Sequence, residues 1–468
     1  MPTTPPGRPR LLALFNLRRE EALPVLLAGF FFFCVLTALM VLRPARDALG
    51  MQRGIDAVRW LFMGTALVTL LANPVFGWLV SRLPRRRFVA ATYLFFALSL
   101  VAFHQLLVQT PEAVGAASGQ VFYVWFSVFN LFATMLFWAL MADRFTLEQS
   151  KRLFALISVG GTLGAIFGPW LASVLARPLG TPALLLVSAS FLVLALAAAW
   201  LVAEGKLENR KPGFAPDTRA NATPEAVPDA DIANTRPGAA GMQAAATQAR
   251  ADAKVPAVIG GSAWQGLKAV FASRYLLGIA AYIVIMAVVA TLIYFTRLQM
   301  VAALGDDVDM RTALFARIDL ITQAATLLLQ AVVAGRVMKW LGVHVTLMLL
   351  PLTVMLGFAG LAIVGTLAAL IVFEAAFRAI QRALARPARE TLYTVLSRED
   401  KYKSKAFIDT FVYRGGDVAG AQIEGLLGRL GMGLAGLASV ALPLALAWAA
   451  LGLWLGRAQH SQSKRNPP

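Results

Sequence analysis

The chain has 468 residues, of which 58% are hydrophobic and only 15% charged, and it carries a formal net charge of +18. That composition excludes a soluble globular domain and points to a polytopic membrane protein. The single cysteine, Cys34, excludes a disulfide framework within the chain and reads as a small apolar packing residue.

A membrane-spanning helix needs roughly 20 apolar residues, and about twelve stretches qualify. Six, at 22–48, 57–80, 88–109, 120–142, 153–177 and 182–203, precede a polar gap. Six more, at 274–297, 312–337, 343–365, 367–390, 404–429 and 434–456, follow it. The first run is too long for a cleavable leader and continues as a span. The gap is rich in Pro, Ala, Asp and Asn and has no apolar period, so it reads as a flexible linker. The expected organisation is an N-terminal six-helix bundle over 1–203, a cytoplasmic linker over 204–262 and a C-terminal six-helix bundle over 263–468. Just after the linker, Trp264, Leu267, Val270 and Phe271 recur at helical spacing. They predict a short amphipathic helix along the membrane surface.

The loop charges follow a pattern. Arg8, Arg10, Arg18 and Arg19 precede the first span, Arg82, Arg85, Arg86 and Arg87 follow the second, and Arg144, Lys151 and Arg152 follow the fourth. Arg336 and Lys339 follow the eighth, and Lys401, Lys403 and Lys405 follow the tenth. These are alternate loops, so the positive-inside rule makes their side cytoplasmic, with both termini and the linker on it. The same placement accounts for the net charge, and no nucleic-acid partner is expected. The Ala, Leu and Arg richness and the short loops point to a bacterial inner membrane.

A second set of charges lies inside the spans. Even on the lenient insertion scale a mid-bilayer arginine costs about 2.5–3.5 kcal/mol. In the tenth span Glu374, Arg378 and Arg382 follow one another at four-residue spacing, on one slowly drifting helix face. Arg386, Arg389 and Glu390 continue below them, where long side chains can snorkel to the interface. Arg43, Arg46 and Asp47 sit at the outer end of the first span, against the positive-inside preference. Arg317 and Asp319 lie in the eighth span. Asp409, Tyr413 and Asp417 share a face of the eleventh, with Arg414 beside them and Glu424 higher. Guanidinium forks hold phosphate or carboxylate through paired hydrogen bonds. We therefore expect Arg43, Arg46, Arg317, Arg378, Arg382 and Arg414 to face an anionic substrate. Asp47, Asp319, Glu374, Asp409, Asp417 and Glu424 would pair with them or carry protons. The blander reading is that Glu374 and Arg378 only pin helices together.

The halves echo each other. Gln149-Ser150-Lys151 with Gly160-Gly161 opens the fifth span, and Lys403-Ser404-Lys405 with Gly415-Gly416 opens the eleventh. Such correspondence fits parallel repeats. Arg43-Pro44-Ala45-Arg46-Asp47 against Arg386-Pro387-Ala388-Arg389-Glu390 is a second echo. It falls on opposite ends of non-equivalent helices, so it reads as coincidence or convergent chemistry. Gly160, Gly164 and Gly168 recur every four residues and predict close helix packing.

After the second span, Gly77-Trp78-Leu79-Val80-Ser81-Arg82-Leu83-Pro84-Arg85-Arg86 resembles the Gly-x-x-x-Asp-Arg-x-Gly-Arg-Arg loop of the major facilitator superfamily. Ser81 and Pro84 replace the usual Asp and Gly. The resemblance implies a gating loop carried by Gly77, Arg82, Arg85 and Arg86, and a fold of two six-helix bundles. Further motifs are Leu42-Arg43-Pro44-Ala45-Arg46-Asp47, Phe137-Trp138 through Asp143-Arg144-Phe145, and Lys403-Ser404-Lys405 with Arg414-Gly415-Gly416. Together they resemble the ATP/ADP antiporter family of nucleotide transporters within that superfamily. Arg46 stands where that family carries a lysine. Its acidic positions in the fourth and seventh spans fall on Phe126 and near Leu292, and Asp417 replaces a lysine. These departures turn the expectation from nucleotide exchange toward transport of an anion.

The expected function is secondary transport of an organic anion, with a nucleotide or other phosphorylated metabolite favoured, by exchange or proton coupling. No nucleophile triad, metal cluster or Walker sequence stands out, so neither an enzyme nor a cofactor is expected, and the chain is expected to act as a monomer. Two other readings are transport of a larger amphiphile, and a non-transporting sensor or assembly protein that uses the linker.

Overall fold

The structure is a computed structural model that describes residues 19–82, 85–204, 263–332, 334–396 and 398–465. The expected linker thus lies outside the described residues, save for Glu204 at the end of a helix.

Long apolar runs bounded by polar caps form the spans. In the first half these are α1 (Arg19–Gly50), α2 (Ile55–Arg82), α3 (Arg85–Gln109), α4 (Glu112–Arg144), α5 (Leu147–Leu179) and α6 (Thr181–Glu204). Thr146 starts α5 with a capping box, accepting from the Gln149 amide while the Gln149 side chain accepts from the Thr146 amide. The second half begins with a short helix, α7 (Ala263–Ala272), where the sequence predicts one. It packs on the start of the eleventh span with Val270 buried and Phe271 exposed. Next come α8 (Arg274–Ala302), α9 (Val308–Val332) and α10 (Ala334–Val364), the last broken at Gly342, whose φ is 71°.

The tenth and eleventh spans are interrupted. α11 (Leu367–Ile380) passes through a π-helical turn at Gln381–Ala385 into α12 (Arg386–Leu392). α13 (Arg398–Phe407) passes through a second π turn at Ile408–Val412 into α14 (Tyr413–Arg429). α15 (Leu434–Arg465) closes the fold. Ten described helices are long and apolar enough to cross a membrane. The tenth and eleventh spans complete the expected twelve; the π turns divide each into helices of 17 residues or fewer, too short singly to count among the ten.

Each half has its own apolar core. One is built on Phe31, Phe129 and Phe137, the other on Ile279, Tyr282 and Trp448. Two smaller cores join the halves. Ala48, Met51 and Tyr123 meet Phe295, Leu298 and Phe315, and Val41, Ala45 and Ala176 meet Ala313 and Ala316. Both lie away from the basic loops, in what is here the far side of the protein. The basic side is the one on which α1 begins.

Glycines set the closest approaches. A methyl group on Gly160 or Gly164 would collide with the backbone of Gly29 or Phe33, and one on Gly168 would lie 2.9 Å from the Thr37 carbonyl oxygen. In the other half, a Cβ on Gly420 would lie 2.8 Å from Thr291 Cβ and 3.0 Å from the Val288 carbonyl oxygen, and one on Gly416 would press on Ala287. The α1–α5 and α8–α14 contacts are therefore equivalent, as the repeat echo implies. The register of that echo is one residue off, since Gly415 has open space around it and Gly416 makes the contact.

Gly164→Leu should overpack the α1–α5 seam at a cost of at least about 1–3 kcal/mol and lower the thermal midpoint of detergent-purified protein. Gly415→Ala, which meets no neighbour, should hold or raise that midpoint, because alanine is the better helix former.

Candidate functional site

The inner charges gather on the seam between the halves. Arg297 of α8 is fully buried, with 0% side-chain exposure. Its guanidinium donates to Asp47 of α1 at 2.6 Å and to Asp319 of α9 at 3.1 Å, and lies 3.5 Å from Glu374 of α11. Asp319 also receives Arg378 at 3.2 Å and faces Arg43 at 3.5 Å. Arg378 contacts Glu374 and Arg46 contacts Asp47. Four guanidinium groups thus share three carboxylates; Arg297 and the carboxylates are buried while Arg43, Arg46 and Arg378 reach the cavity, and breaking one buried partner leaves the others uncompensated. Neither Glu374 oxygen receives an aligned hydrogen bond, so its pairing is electrostatic.

Around this cluster the far side is shut. Tyr294 donates to Asp47 at 2.9 Å and its hydroxyl lies 3.0 Å from that of Tyr123. Arg59 of α2 donates to Glu424 of α14 at 2.7 Å, and Gln299 donates to the other Glu424 oxygen. Gly425 leaves the room the Arg59 stem occupies, since a Cβ there would lie 2.9 Å from Arg59 Cδ. The Thr181 amide donates to Asp309 at 2.6 Å.

Below the cluster, toward the basic side, lies a cavity of about 510 Å³. Arg43, Arg46, Arg378, Arg382 and Arg414 line it, with Glu374 and Asp417 as its carboxylates. The half formed by α1–α6 adds a neutral wall of Phe62, Thr65, Tyr123, Phe126, Ser127 and Asn130. A second chamber of about 550 Å³ continues toward the basic side and shares Gln381, Arg382, Tyr413 and Arg414 with the first. The π turn at Gln381–Ala385 widens the helix between Arg378 and Arg386. Such turns mark functional sites in many helices. It keeps Arg378, Arg382, Arg386 and Arg389 aimed into the two chambers.

Of the expected site residues, Arg43, Arg46, Arg378, Arg382, Arg414, Glu374 and Asp417 meet in the central cavity. Asp47 and Asp319 stand behind it and hold its arginines. Asp409 lines the second chamber, 3.9 Å from Arg389. One expectation is corrected. Arg317 is exposed on the outside of the bundle, because it lies two residues from Asp319 and side chains at that spacing point away from each other. Glu424 is ion-paired with Arg59 at 2.7 Å in the far-side closure and does not line the cavity. For the expected gating loop, Gly77 lies within α2 and Arg82 is exposed with its guanidinium over the Trp78 ring at 5.0 Å. α3 begins at Arg85, and the side chains of Arg85 and Arg86 lie outside the described residues. The two motif positions also separate. Phe126 lines the cavity with the Arg46 guanidinium 5.3 Å over its ring, whereas Leu292 is buried in the core of its own half.

Sequence reading misses Arg297, which ends a hydrophobic run and passes for a boundary residue. Its signal is indirect: three intramembrane carboxylates need a buried cation, and an arginine on the far side of a span opposes the positive-inside preference. Arg59 and Gln323 are missed likewise. Gln323 is buried and accepts from Arg382.

Replacing Arg297 with Met leaves Asp47, Asp319 and Glu374 short of a counter-charge. The expected cost is about 3–5 kcal/mol, read as a fall in thermal midpoint, with partial recovery when Asp47→Asn is added. Arg317→Gln, on the outer face, should leave the midpoint within the range of ordinary surface changes, about 0.5 kcal/mol.

The comparisons agree with this architecture. The model of the Major Facilitator Superfamily matches residues 23–384. No curated protein sequence gives a significant match. Solved structures similar in fold include the nucleoside transporter NupG in a mutant form, with 14% identity, 94% of this chain and 99% of that one covered and a TM-score of 0.54. A POT family transporter in complex with a thioalcohol-conjugated peptide shares 12% identity over 93% of this chain and 96% of that one, with a TM-score of 0.58. A bacterial homolog of the human lysosomal transporter Spinster, in an inward-facing and unoccupied conformation, shares 12% identity over 96% and 98%, with a TM-score of 0.54. With two six-helix halves around a central cavity and a family match over most of its length, the chain belongs to the major facilitator superfamily and is a membrane transporter of that type.

Proposed function

We propose that this transporter carries an organic anion, and that the anion's charged group binds between Arg378, Arg382 and Arg414. The carrying observation is Arg382. It lines the cavity, and among the described residues its one side-chain partner is the neutral Gln323. A cation held in a cavity by a neutral amide is free to accept a phosphate or carboxylate through paired hydrogen bonds. Arg43 and Arg378 share their carboxylates with Arg297 and add to the field. The cavity volume suits a metabolite. The resemblance to nucleotide transporters favours a phosphorylated substrate, and the neutral wall of Phe62, Phe126 and Asn130 is suited to its uncharged part.

In this reading the basic side is the cytoplasmic face of a bacterial inner membrane and the cavity stands open to it. Opening the other side separates Arg59 from Glu424, Asp47 from Arg297 and Arg43 from Asp319. Rocking one half against the other about the site then gives alternating access. Asp417 is the carboxylate placed to couple protons, since it sits in the cavity wall beside its partner Arg414 at 3.2 Å.

Uptake of radiolabelled phosphorylated metabolites into proteoliposomes tests the assignment. Arg382→Gln should weaken apparent affinity by about 10-fold to 100-fold, the worth of a charge-assisted hydrogen bond, while Arg317→Gln transports normally. Equal uptake by both variants contradicts the assignment. Asp417→Asn separates the coupling modes. Proton coupling predicts that uptake driven by a pH gradient is lost while exchange of preloaded substrate persists.

A further inference from the structure

We infer that the second chamber is an anion-binding station of its own, one that holds a phosphate-class dianion before it reaches the central cavity. The inference takes the anion-transport reading of the central cavity as its setting. It stands on separate residues, Arg386, Arg389 and Lys405.

Arg386 is exposed into the chamber and has no hydrogen-bond or ion-pair partner among the described residues. Arg389 is only 12% exposed, yet its nearest carboxylate, Asp409, stands 3.9 Å away and its other contact is the Met286 sulfur at 4.0 Å. Its Nε is buried with no acceptor. A guanidinium taken that far out of water without a close counter-ion is costly, and an anion between Arg386 and Arg389 supplies the missing acceptors. Lys405 closes the chamber and is paired with Glu390. The acidic side chains facing the chamber are Glu390 and Asp409, against Arg382, Arg386, Arg389, Arg414 and Lys405. The excess of three positive charges, two of the five cations being shared with the central cavity, suits a dianion such as a phosphomonoester near neutral pH.

The backbone is shaped for the same place. Both π turns, Gln381–Ala385 and Ile408–Val412, carry residues that line this chamber, Arg382 and Asp409 among them. The sequence echo acquires a meaning as well. Arg43 and Arg46 from one Arg-Pro-Ala-Arg-acid segment line the central cavity, and Arg386 and Arg389 from the other line the second chamber. Arg382 and Arg414 form the neck between them, so an anion passes from one guanidinium pair to the next without crossing an uncharged gap. The phosphate group has two sources, a soluble ester and a lipid headgroup at the membrane surface.

Equilibrium binding of radiolabelled inorganic phosphate to purified full-length protein in phosphatidylcholine nanodiscs tests this. Wild type should bind two equivalents. Arg386→Gln with Arg389→Gln should bind one, and Arg43→Gln should keep the equivalent that the double variant loses. Arg389→Lys, which retains the charge, should keep that equivalent at about tenfold lower affinity, the cost of exchanging a bidentate fork for a point charge. The equivalent that the double variant keeps at the central site shows that its loss of the other is not a folding defect. In discs with added phosphatidylglycerol, loss of the same equivalent supports the station with a lipid headgroup as its occupant, and retention supports a soluble occupant. Two equivalents in the double variant, or a single wild-type equivalent that the double variant keeps, overturns the second station while the central site stands. No phosphate binding by wild type overturns both.

Discussion

Arg297 is the constraint on which the remaining architecture turns. One buried guanidinium touches carboxylates from the first, eighth and tenth spans, and so ties the two halves and the cavity floor into one electrostatic unit. In a low-dielectric setting, pairing of this kind adds little net stability over an apolar core, yet removing one member is expensive. The arrangement is therefore better understood as a device that fixes a state than as a source of stability. It lets arginines that would each be costly in a membrane stand at the wall of a cavity.

That unit has a graded charge along the protein. At the far side, acid and base are nearly balanced and tightly paired. Toward the basic side the arginines lose their partners, first Arg382, which has only Gln323, and then Arg386. The unpaired charges are the ones free to meet a ligand. The paired ones, Arg43 and Arg378, share Asp319 with Arg297, so a ligand that draws on them also draws on the seam between the halves. Under the proposed function Asp319 links ligand binding to the far-side closure, and a ligand shifts such an equilibrium only by its differential affinity for the two states.

Much of this was legible in the sequence. Apolar run length places ten of the twelve spans, because a helix in lipid must satisfy its own backbone and cross a fixed thickness; the tenth and eleventh are placed by their position between spans. Four-residue spacing puts Glu374, Arg378 and Arg382 on one face, and the glycine period at Gly160, Gly164 and Gly168 marks the tight seam with the first span. What escaped has physical reasons. Arg317 looked equivalent to its neighbour Asp319, but two residues is half a helical turn. Glu424 belongs to a long-range pair with Arg59, 365 positions away, and no local pattern reveals that. Arg389 reads as an interface anchor because of its depth at the inner end of the span, whereas in the fold it lines the second chamber. Arg297 was hidden by its position at a helix end, where an arginine is ordinarily unremarked.

In the proposed function the cavity recognises charge on its ligand through arginines that outnumber its carboxylates, Arg382 foremost. The most direct measurement compares a phosphorylated metabolite with its dephosphorylated counterpart, a nucleotide against its nucleoside, for concentration-dependent thermal stabilisation of the purified protein. The midpoint should rise with the phosphorylated compound alone, and raising salt should diminish the rise. Equal stabilisation by the uncharged counterpart, or a rise insensitive to salt, would contradict it.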